Sequence, residues 1–153
     1  MRIRHSCVLI ASVAAIAGCG GDDGNDQPVV SPSDAESTRC IPADTSLTTP
    51  IANKLTVEGG RIDYGRAVKS DDFENMYFVS AELEGTGLEG RDDVATWATE
   101  SVGGAEAIYA VDDLAKEHSD WRDGSQTRFK LSLNQDGAKE SRDCVTQAAG
   151  GGG

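Results

Sequence analysis

The chain has 153 residues, of which 26 are Asp or Glu and 14 are Lys or Arg, so its formal net charge at pH 7 is −12. This charge disfavours nucleic acid as a partner, because phosphate backbones are bound mainly through Lys and Arg. It also disfavours direct binding to an anionic membrane surface, so we expect any membrane contact to come from a lipid.

The first 18 residues have the pattern of a bacterial lipoprotein signal peptide. Arg2 and Arg4 form a basic start, and residues 6–17 are almost wholly apolar. That run is shorter than the ~20 residues of a membrane-spanning helix, but it suits the apolar region of a signal peptide. It ends in Ile16-Ala17-Gly18-Cys19, which resembles the bacterial lipobox. The resemblance implies cleavage before Cys19 and a lipid on its thiol; an ordinary signal peptide with an incidental cysteine is the alternative.

Residues 19–38 predict a lipidated cysteine followed by a flexible linker. After Cys19 the composition is mainly Gly, Asp, Asn, Pro, Ser and Gln, which bury too little apolar surface to offset the entropy of ordering. Residues 39–148 are expected to form one globular domain, near the usual size for a single core. Residues 149–153 are expected to form a glycine tail.

The first elements of the domain are predicted to be a helix and two strands. Thr49-Pro50 starts the helix as cap and first helical residue, and Gly59-Gly60 ends it. Ile62, Tyr64 and Val68 lie at even spacing, which indicates a strand. Residues 76–83 predict a second strand, in which Tyr77, Val79, Ala81 and Leu83 face the same side. Gly65 within the first strand predicts a bulge or a close approach of another segment.

The next segment, Gly85-Thr86-Gly87-Leu88-Glu89-Gly90, has the glycine spacing of dinucleotide-binding loops. That chemistry requires a helix whose amino terminus points at the pyrophosphate. Arg91-Asp92-Asp93 and a strand follow here instead, so we interpret the segment as a hairpin loop. The acidic run at residues 22–26 likewise lacks the flanking helices of a calcium-binding loop.

Two further strands, at 94–99 and 107–111, lead to a helix that Asp112 caps and that runs through His118. His118 is the single histidine after the signal peptide. A Ser-His-Asp hydrolase would need it as a base, with a serine at a sharp turn, but the chain has no Gly-x-Ser-x-Gly motif. We therefore interpret His118 as a partly buried structural residue.

Apolar and polar residues alternate over 129–133, which predicts an extended segment. A last helix is predicted to begin at Asn134 or Asp136. The strands are joined by about 7–10 residues, too few for crossover helices, which favours antiparallel pairing. The sequence therefore predicts an α+β fold: a small antiparallel sheet of three to four strands with flanking helices, its ends tied by one disulfide.

That disulfide is predicted between Cys40 and Cys144. Of the four cysteines, Cys7 would leave with the signal peptide and Cys19 would carry the lipid. The remaining pair belongs to an exported chain, where disulfides form readily. Two free thiols are the alternative, but no nearby His or Cys completes a metal site.

Several segments of the domain resemble small lipoproteins of high-GC Gram-positive bacteria and their phages. These segments are residues 66–73, 77–82, 96–99, 111–115 and 136–140, together with Cys144. The resemblance covers about residues 40–147. It implies an exported domain closed by a disulfide, and it assigns no activity and no catalytic residue.

No pattern identifies a catalytic residue, a metal ligand or a cofactor site. We therefore expect a lipid-anchored, non-enzymatic binding or interaction module on the extracytoplasmic side of the cell membrane. Its expected partners are the membrane, through the lipid, and an envelope protein. The alternatives are a phage-type exclusion or envelope-immunity lipoprotein and, third, an envelope hydrolase that uses paired carboxylates.

The lipobox predicts the effect of Cys19→Ser. Without the thiol no lipid can be attached, so we expect the precursor to stay uncleaved by the lipoprotein signal peptidase and to take up no labelled palmitate. Metabolic labelling followed by gel analysis measures both. Palmitate label that persists in Cys19→Ser would contradict the assignment.

Overall fold

The computed structural model describes residues 39–88, 93–103 and 107–150. Cys19 and the whole of the predicted signal peptide and linker lie outside these ranges, so lipidation of Cys19 stays a prediction. Within the described ranges, no helix is both long enough and apolar enough to cross a membrane.

A sheet of six strands runs through the described part of the chain, and its strands lie side by side in sequence order. Their bounds are β1 Ile41–Pro42, β2 Arg61–Lys69, β3 Tyr77–Glu84, β4 Val94–Thr99, β5 Ile108–Ala110 and β6 Arg122–Asp123. Neighbouring strands are antiparallel from β1 to β5, whereas β6 is parallel to β5.

The predicted α+β class is confirmed, but the predicted antiparallel sheet of three to four strands is wrong, since the sheet is mixed and has six. β1 and β6 have two residues each, which is too short to leave an alternating pattern in the sequence. The connection after β5 contains a helix, and a helical crossover returns the chain in the parallel direction.

Within the part of the chain that the structure describes, three α-helices accompany the sheet: α1 Thr45–Ala52, α2 Asp113–Glu117 and α3 Ala138–Gly150. A short 3-10 helix, Gly124–Gln126, follows β6. α2 begins as predicted after Asp112, whose carboxylate accepts a hydrogen bond from the backbone N–H of Ala115 at 2.8 Å.

The predicted start of the first helix at Thr49-Pro50, and its end at the following glycine pair, are wrong. Asp44 is the cap instead, because its carboxylate accepts a hydrogen bond from the backbone N–H of Ser46 at 2.9 Å. The proline therefore lies inside α1. The chain after α1 contacts the end of α2, where the backbone N–H of Thr56 donates to the carbonyl oxygen of His118 at 3.0 Å.

The extended segment predicted at residues 129–133 is also wrong. Lys130 has a φ of 52°, and its backbone N–H donates to the carbonyl oxygen of Thr127 at 3.2 Å, so the chain turns here. Leu131 is fully buried beside the turn, and the apolar residues at 129 and 133 pack partly buried against the same cluster. The alternating apolar residues therefore pack into the core from a turn, and they do not form a strand.

The two faces of the sheet are covered by different helices. Trp97, the largest fully buried side chain, shares a cluster with Leu47 of α1 and Ala115 of α2. Phe78 shares a second cluster with Ala138 of α3. Phe78 and Trp97 belong to adjacent pairs of the β3–β4 register, so their side chains point to opposite faces. α1 and α2 thus cover one face, and α3 covers the other.

Gly65 lies at a bulge in β2, as the sequence predicts. The register of β2 against β3 shifts between Asp63 and Arg66. A Cβ atom on Gly65 would lie 3.0 Å from the Cβ of Ala43, so a side chain here would force Ala43 to move by a few tenths of an ångström. Tyr64 beside it has a φ of 53° and is 50% exposed. A bulge of this kind bends the strand and increases its local twist.

The start of the described chain is fastened to α3 by residues 39–40, which we call the strap. Cys40 and Cys144 form the predicted disulfide, with their Cα atoms 6.0 Å apart. The Arg39 guanidinium donates to the Asp136 carboxylate at 2.5 and 3.2 Å and lies 2.9 Å from the Glu140 carboxylate. The strap therefore holds the two ends of the domain together by one covalent bond and a group of ion pairs.

The disulfide closes a long loop, so its removal should be costly. We expect Cys40→Ala or Cys144→Ala to lower the free energy of unfolding by about 2–5 kcal/mol. At ~4–8 °C per kcal/mol this lowers the melting temperature by about 10 °C or more, measured by circular dichroism. The double variant should be little worse than either single variant, because each already removes the bridge. Additive losses, or two free thiols by mass spectrometry, would contradict the bridge.

Candidate functional site

A cavity of about 790 Å³ lies at the end of the sheet where β3 leads into β4. Residues from the ends of β2 and β3, from the loop between α1 and β2, and from the last turns of α3 line it. We call it the hairpin cavity. Its volume falls within the ~300–1,000 Å³ typical of ligand pockets.

The strand ends that form the floor of the cavity carry several charges. In the antiparallel register Asp63 lies opposite Glu82, and Arg61 lies opposite Glu84. Arg61 forms ion pairs with Glu84 and, through its Nε at 3.5 Å, with Asp63. Among the described residues no Lys or Arg forms an ion pair with Glu82. Glu82 therefore lies opposite a like charge, an arrangement that weakens a sheet.

The surroundings of Glu82 make its ionised form unfavourable. Burial raises the pKa of the Glu82 carboxyl above its ordinary value, and the negative charges of Glu84, Asp63 and Asp93 raise it further. A positive group placed in the cavity would act against these negative charges. It would therefore lower the pKa of Glu82 and favour its ionised form.

Two more carboxylates, those of Glu58 and Asp93, line the cavity. The carbonyl oxygen of Asp93 accepts a hydrogen bond from the backbone N–H of Leu83 at 2.7 Å, which fixes its position beside β3. Its Oδ1 atom is buried and has no hydrogen-bond partner among the described residues. With Glu82 and Glu84, the lining holds four carboxylates and one guanidinium, so the cavity favours cationic groups.

Buried hydroxyl groups hold α3 on the sheet next to the cavity. The Ser80 Oγ lies 2.8 Å from the Ser141 Oγ and 3.0 Å from the Thr96 Oγ1. All three side chains have no exposed area. Because each hydroxyl can both donate and accept, the three groups satisfy one another inside the protein.

Arg142 extends this contact to α2. Its Nη1 donates to the Asp112 carboxylate at 2.6 Å, to the Thr96 Oγ1 at 3.3 Å, and to the carbonyl oxygen of Val94. Burial raises the pKa of Asp112, although hydrogen bonds from backbone N–H groups and the charge of Arg142 act in the opposite direction. This ion pair therefore links α3, on one face of the sheet, to the N-cap of α2, which covers the other face.

The predicted functional residues do not meet at this cavity. Cys40 and Cys144 lie at the strap, and Cys19 lies outside the described residues. His118 is the C-cap of α2 and is partly buried, as expected. No three described His, Cys, Asp or Glu residues are grouped to hold a metal ion.

The glycine-rich segment that starts at Gly85 joins two antiparallel strands, so the predicted hairpin is confirmed. Residues 89–92 of this loop lie outside the described ranges. The described part contributes Gly85, Thr86 and Leu88 to the cavity lining. The sequence matches no family model and no curated protein, and the fold matches no solved structure.

The acidic floor predicts that Glu82→Gln stabilises the protein at pH 7. The pKa of Glu82 is higher in the folded than in the unfolded chain, so its ionised form favours unfolding at every pH above the folded-state pKa. Removing one like-charge cross-strand contact should add about 0.5 kcal/mol to the free energy of unfolding. The melting temperature should then rise by ~2–4 °C.

Thermal unfolding of both proteins at two pH values checks this prediction. The difference should vanish near pH ~3, where the carboxyl is protonated in both states. Glu74→Gln, in the exposed loop between β2 and β3, is the matched control and should change little. A lower melting temperature for Glu82→Gln at pH 7 would show that the ionised carboxylate is needed for folding.

Proposed function

We propose that the protein is a lipid-anchored, non-enzymatic binding module that uses the hairpin cavity to bind a cationic segment of an envelope protein. Cys19 would carry the lipid and residues 20–38 would act as the tether. The acidic lining of a cavity of ligand size is the observation that carries the proposal.

The charges of the cavity support a basic partner. A Lys or Arg side chain entering between Glu82 and Asp93 would give Glu82 the ion-pair partner that no described Lys or Arg supplies. It would also lower the pKa of Glu82 and so stabilise the ionised carboxylate. Electrostatic complementarity of this kind speeds encounter and discriminates against acidic partners. The strongly acidic chain as a whole would assist the approach.

A decalysine peptide tests this proposal, with calorimetry of the full chain in mild detergent as the measurement. We expect Glu82→Gln combined with Glu84→Gln to weaken binding by about tenfold, or 1.4 kcal/mol. The matched control combines Glu74→Gln with Glu117→Gln, which removes two charges from exposed positions away from the cavity. Equal losses in the two double variants would show that only the overall charge attracts the peptide and would refute the cavity as the site.

One observation favours the envelope hydrolase as a second candidate function. The raised pKa of Glu82, which lies beside other carboxylates of the cavity, is a feature that the general acids of glycosidases share. Incubation of the full chain with envelope polysaccharide, followed by an assay for reducing ends, tests it. Turnover that Glu82→Gln abolishes would replace the non-enzymatic proposal, whereas its absence in the native chain would count against the hydrolase.

A further inference from the structure

Arg39 precedes the disulfide in the chain, and its guanidinium contacts two acidic side chains at the start of α3. Its two terminal nitrogens lie 2.5 and 3.2 Å from the two carboxylate oxygens of Asp136, and its Nη1 lies 2.9 Å from Glu140. A guanidinium that meets both oxygens of a carboxylate forms one of the stronger ion pairs in proteins. The Arg39 and Asp136 side chains are each only 35% exposed, so solvent and salt screen this contact less than a fully exposed pair.

The two carboxylates are held in place by contacts that do not involve the disulfide. Glu140 precedes Cys144 by four residues, about one helical turn, so the two side chains lie on the same side of α3. The backbone N–H of Asp136 donates to the Asp72 carboxylate at 2.7 Å, and its Oδ2 accepts from the backbone N–H of Asp71 at 2.8 Å. Neither of these hydrogen bonds includes a sulfur atom. The anchor of the strap can therefore persist when the bridge is reduced.

The charges of the strap contact are stable at neutral pH. The hydrogen bond from the Arg39 guanidinium is the largest cause of a lowered pKa of the Asp136 carboxyl. The same hydrogen bond is the largest cause of a raised pKa of Arg39. Both groups therefore stay ionised over the pH range in which thiols and disulfides exchange.

The two cysteines of the bridge differ in exposure. Cys144 is 3% exposed, whereas Cys40 is partly exposed. A thiolate from solution therefore reaches the bridge more readily at Cys40. Its attack breaks the S–S bond, joins the incoming sulfur to Cys40 and leaves the electron pair on Cys144 as a thiolate. Return attack by the Cys144 thiolate restores the bridge and releases the incoming thiol, whereas a second external thiol completes the two-electron reduction.

We propose that Arg39 is a positioning residue for the bridge: its ion pairs with Asp136 and Glu140 keep Cys40 beside Cys144 after reduction, so that the bridge re-forms in a domain that stays folded. The co-reactant is a thiol–disulfide couple outside the domain, which takes up or supplies the two electrons. The proposal involves no residue of the hairpin cavity, so it can fail separately from the proposed function.

Equilibration with reduced and oxidised glutathione tests the proposal. The parent is the full chain with Cys7→Ser and Cys19→Ser, in mild detergent at neutral pH. Alkylation and mass spectrometry give the reduced and bridged fractions, and hence the effective concentration of the two remaining thiols for each other. Arg39→Gln should lower this concentration about tenfold, because charge-assisted hydrogen bonds are lost. Arg39→Lys, which keeps the charge but not the planar fork, should restore part of it.

A matched control and a salt series separate positioning from charge in general. Arg128→Gln removes the same charge from an exposed ion pair with Glu100 and should change the effective concentration less than about twofold. Sodium chloride at about 1 M should lower the effective concentration in the parent and have little effect in Arg39→Gln, because salt screens ion pairs.

Melting temperatures measured with and without the bridge complete the test. Arg39→Gln should lower the melting temperature more in the Cys40→Ala, Cys144→Ala background than in the bridged chain, where the covalent bond already holds the strap. Equal losses in the two backgrounds would overturn the proposal. An effective concentration that Arg39→Gln leaves unchanged would also overturn it, and so would a reduced parent that is unfolded by circular dichroism at room temperature.

Discussion

The buried hydroxyl groups of Ser80, Thr96 and Ser141 set the distance between α3 and the sheet. Their side chains are short, so the helix approaches closely, and their hydrogen bonds are directional, so one position of the helix is favoured over others. The position of Arg142 against Asp112 follows from this contact, and so does the place where α3 meets Cys40. Further along β3, the face that α3 covers carries the carboxylates of Glu82 and Glu84 instead of a serine hydroxyl. Close packing of the helix therefore ends there, and the cavity begins.

Local sequence signals predicted the parts of the fold that depend on local chemistry. The alternation in β3 and the aspartate cap of α2 appear where period and capping rules place them. The start of α1 was misplaced because Asp44 and Thr49 are both good caps, and the choice between them depends on where the chain must pack. β6 depends on a crossover whose direction is a property of the whole sheet. Such elements follow from tertiary contacts that no short segment encodes.

The hairpin cavity could be foreseen only in part. The alternation of residues 76–83 already assigns Ser80, Glu82 and Glu84 to one face of a strand, so a polar face was evident. That Asp63 lies opposite Glu82 depends on the register of β2, which the bulge at Gly65 shifts. The coverage of this face by α3 depends on contacts between residues far apart in the chain. A stretch that weakens the sheet by like-charge contact is more readily retained for recognition than for stability.

The strap also determines how the domain would respond to mechanical force. Arg39 and Cys40 precede β1, whose two residues could be peeled from β2 one pair at a time. The bond between Cys40 and Cys144 precedes β1, so tension from that side passes into α3 before it reaches the sheet. α3 is in turn held by the buried contacts of Ser141 and Arg142. Tension applied at Arg39 would therefore be carried by the disulfide into α3, and the two-residue strand β1 would be shielded from part of it.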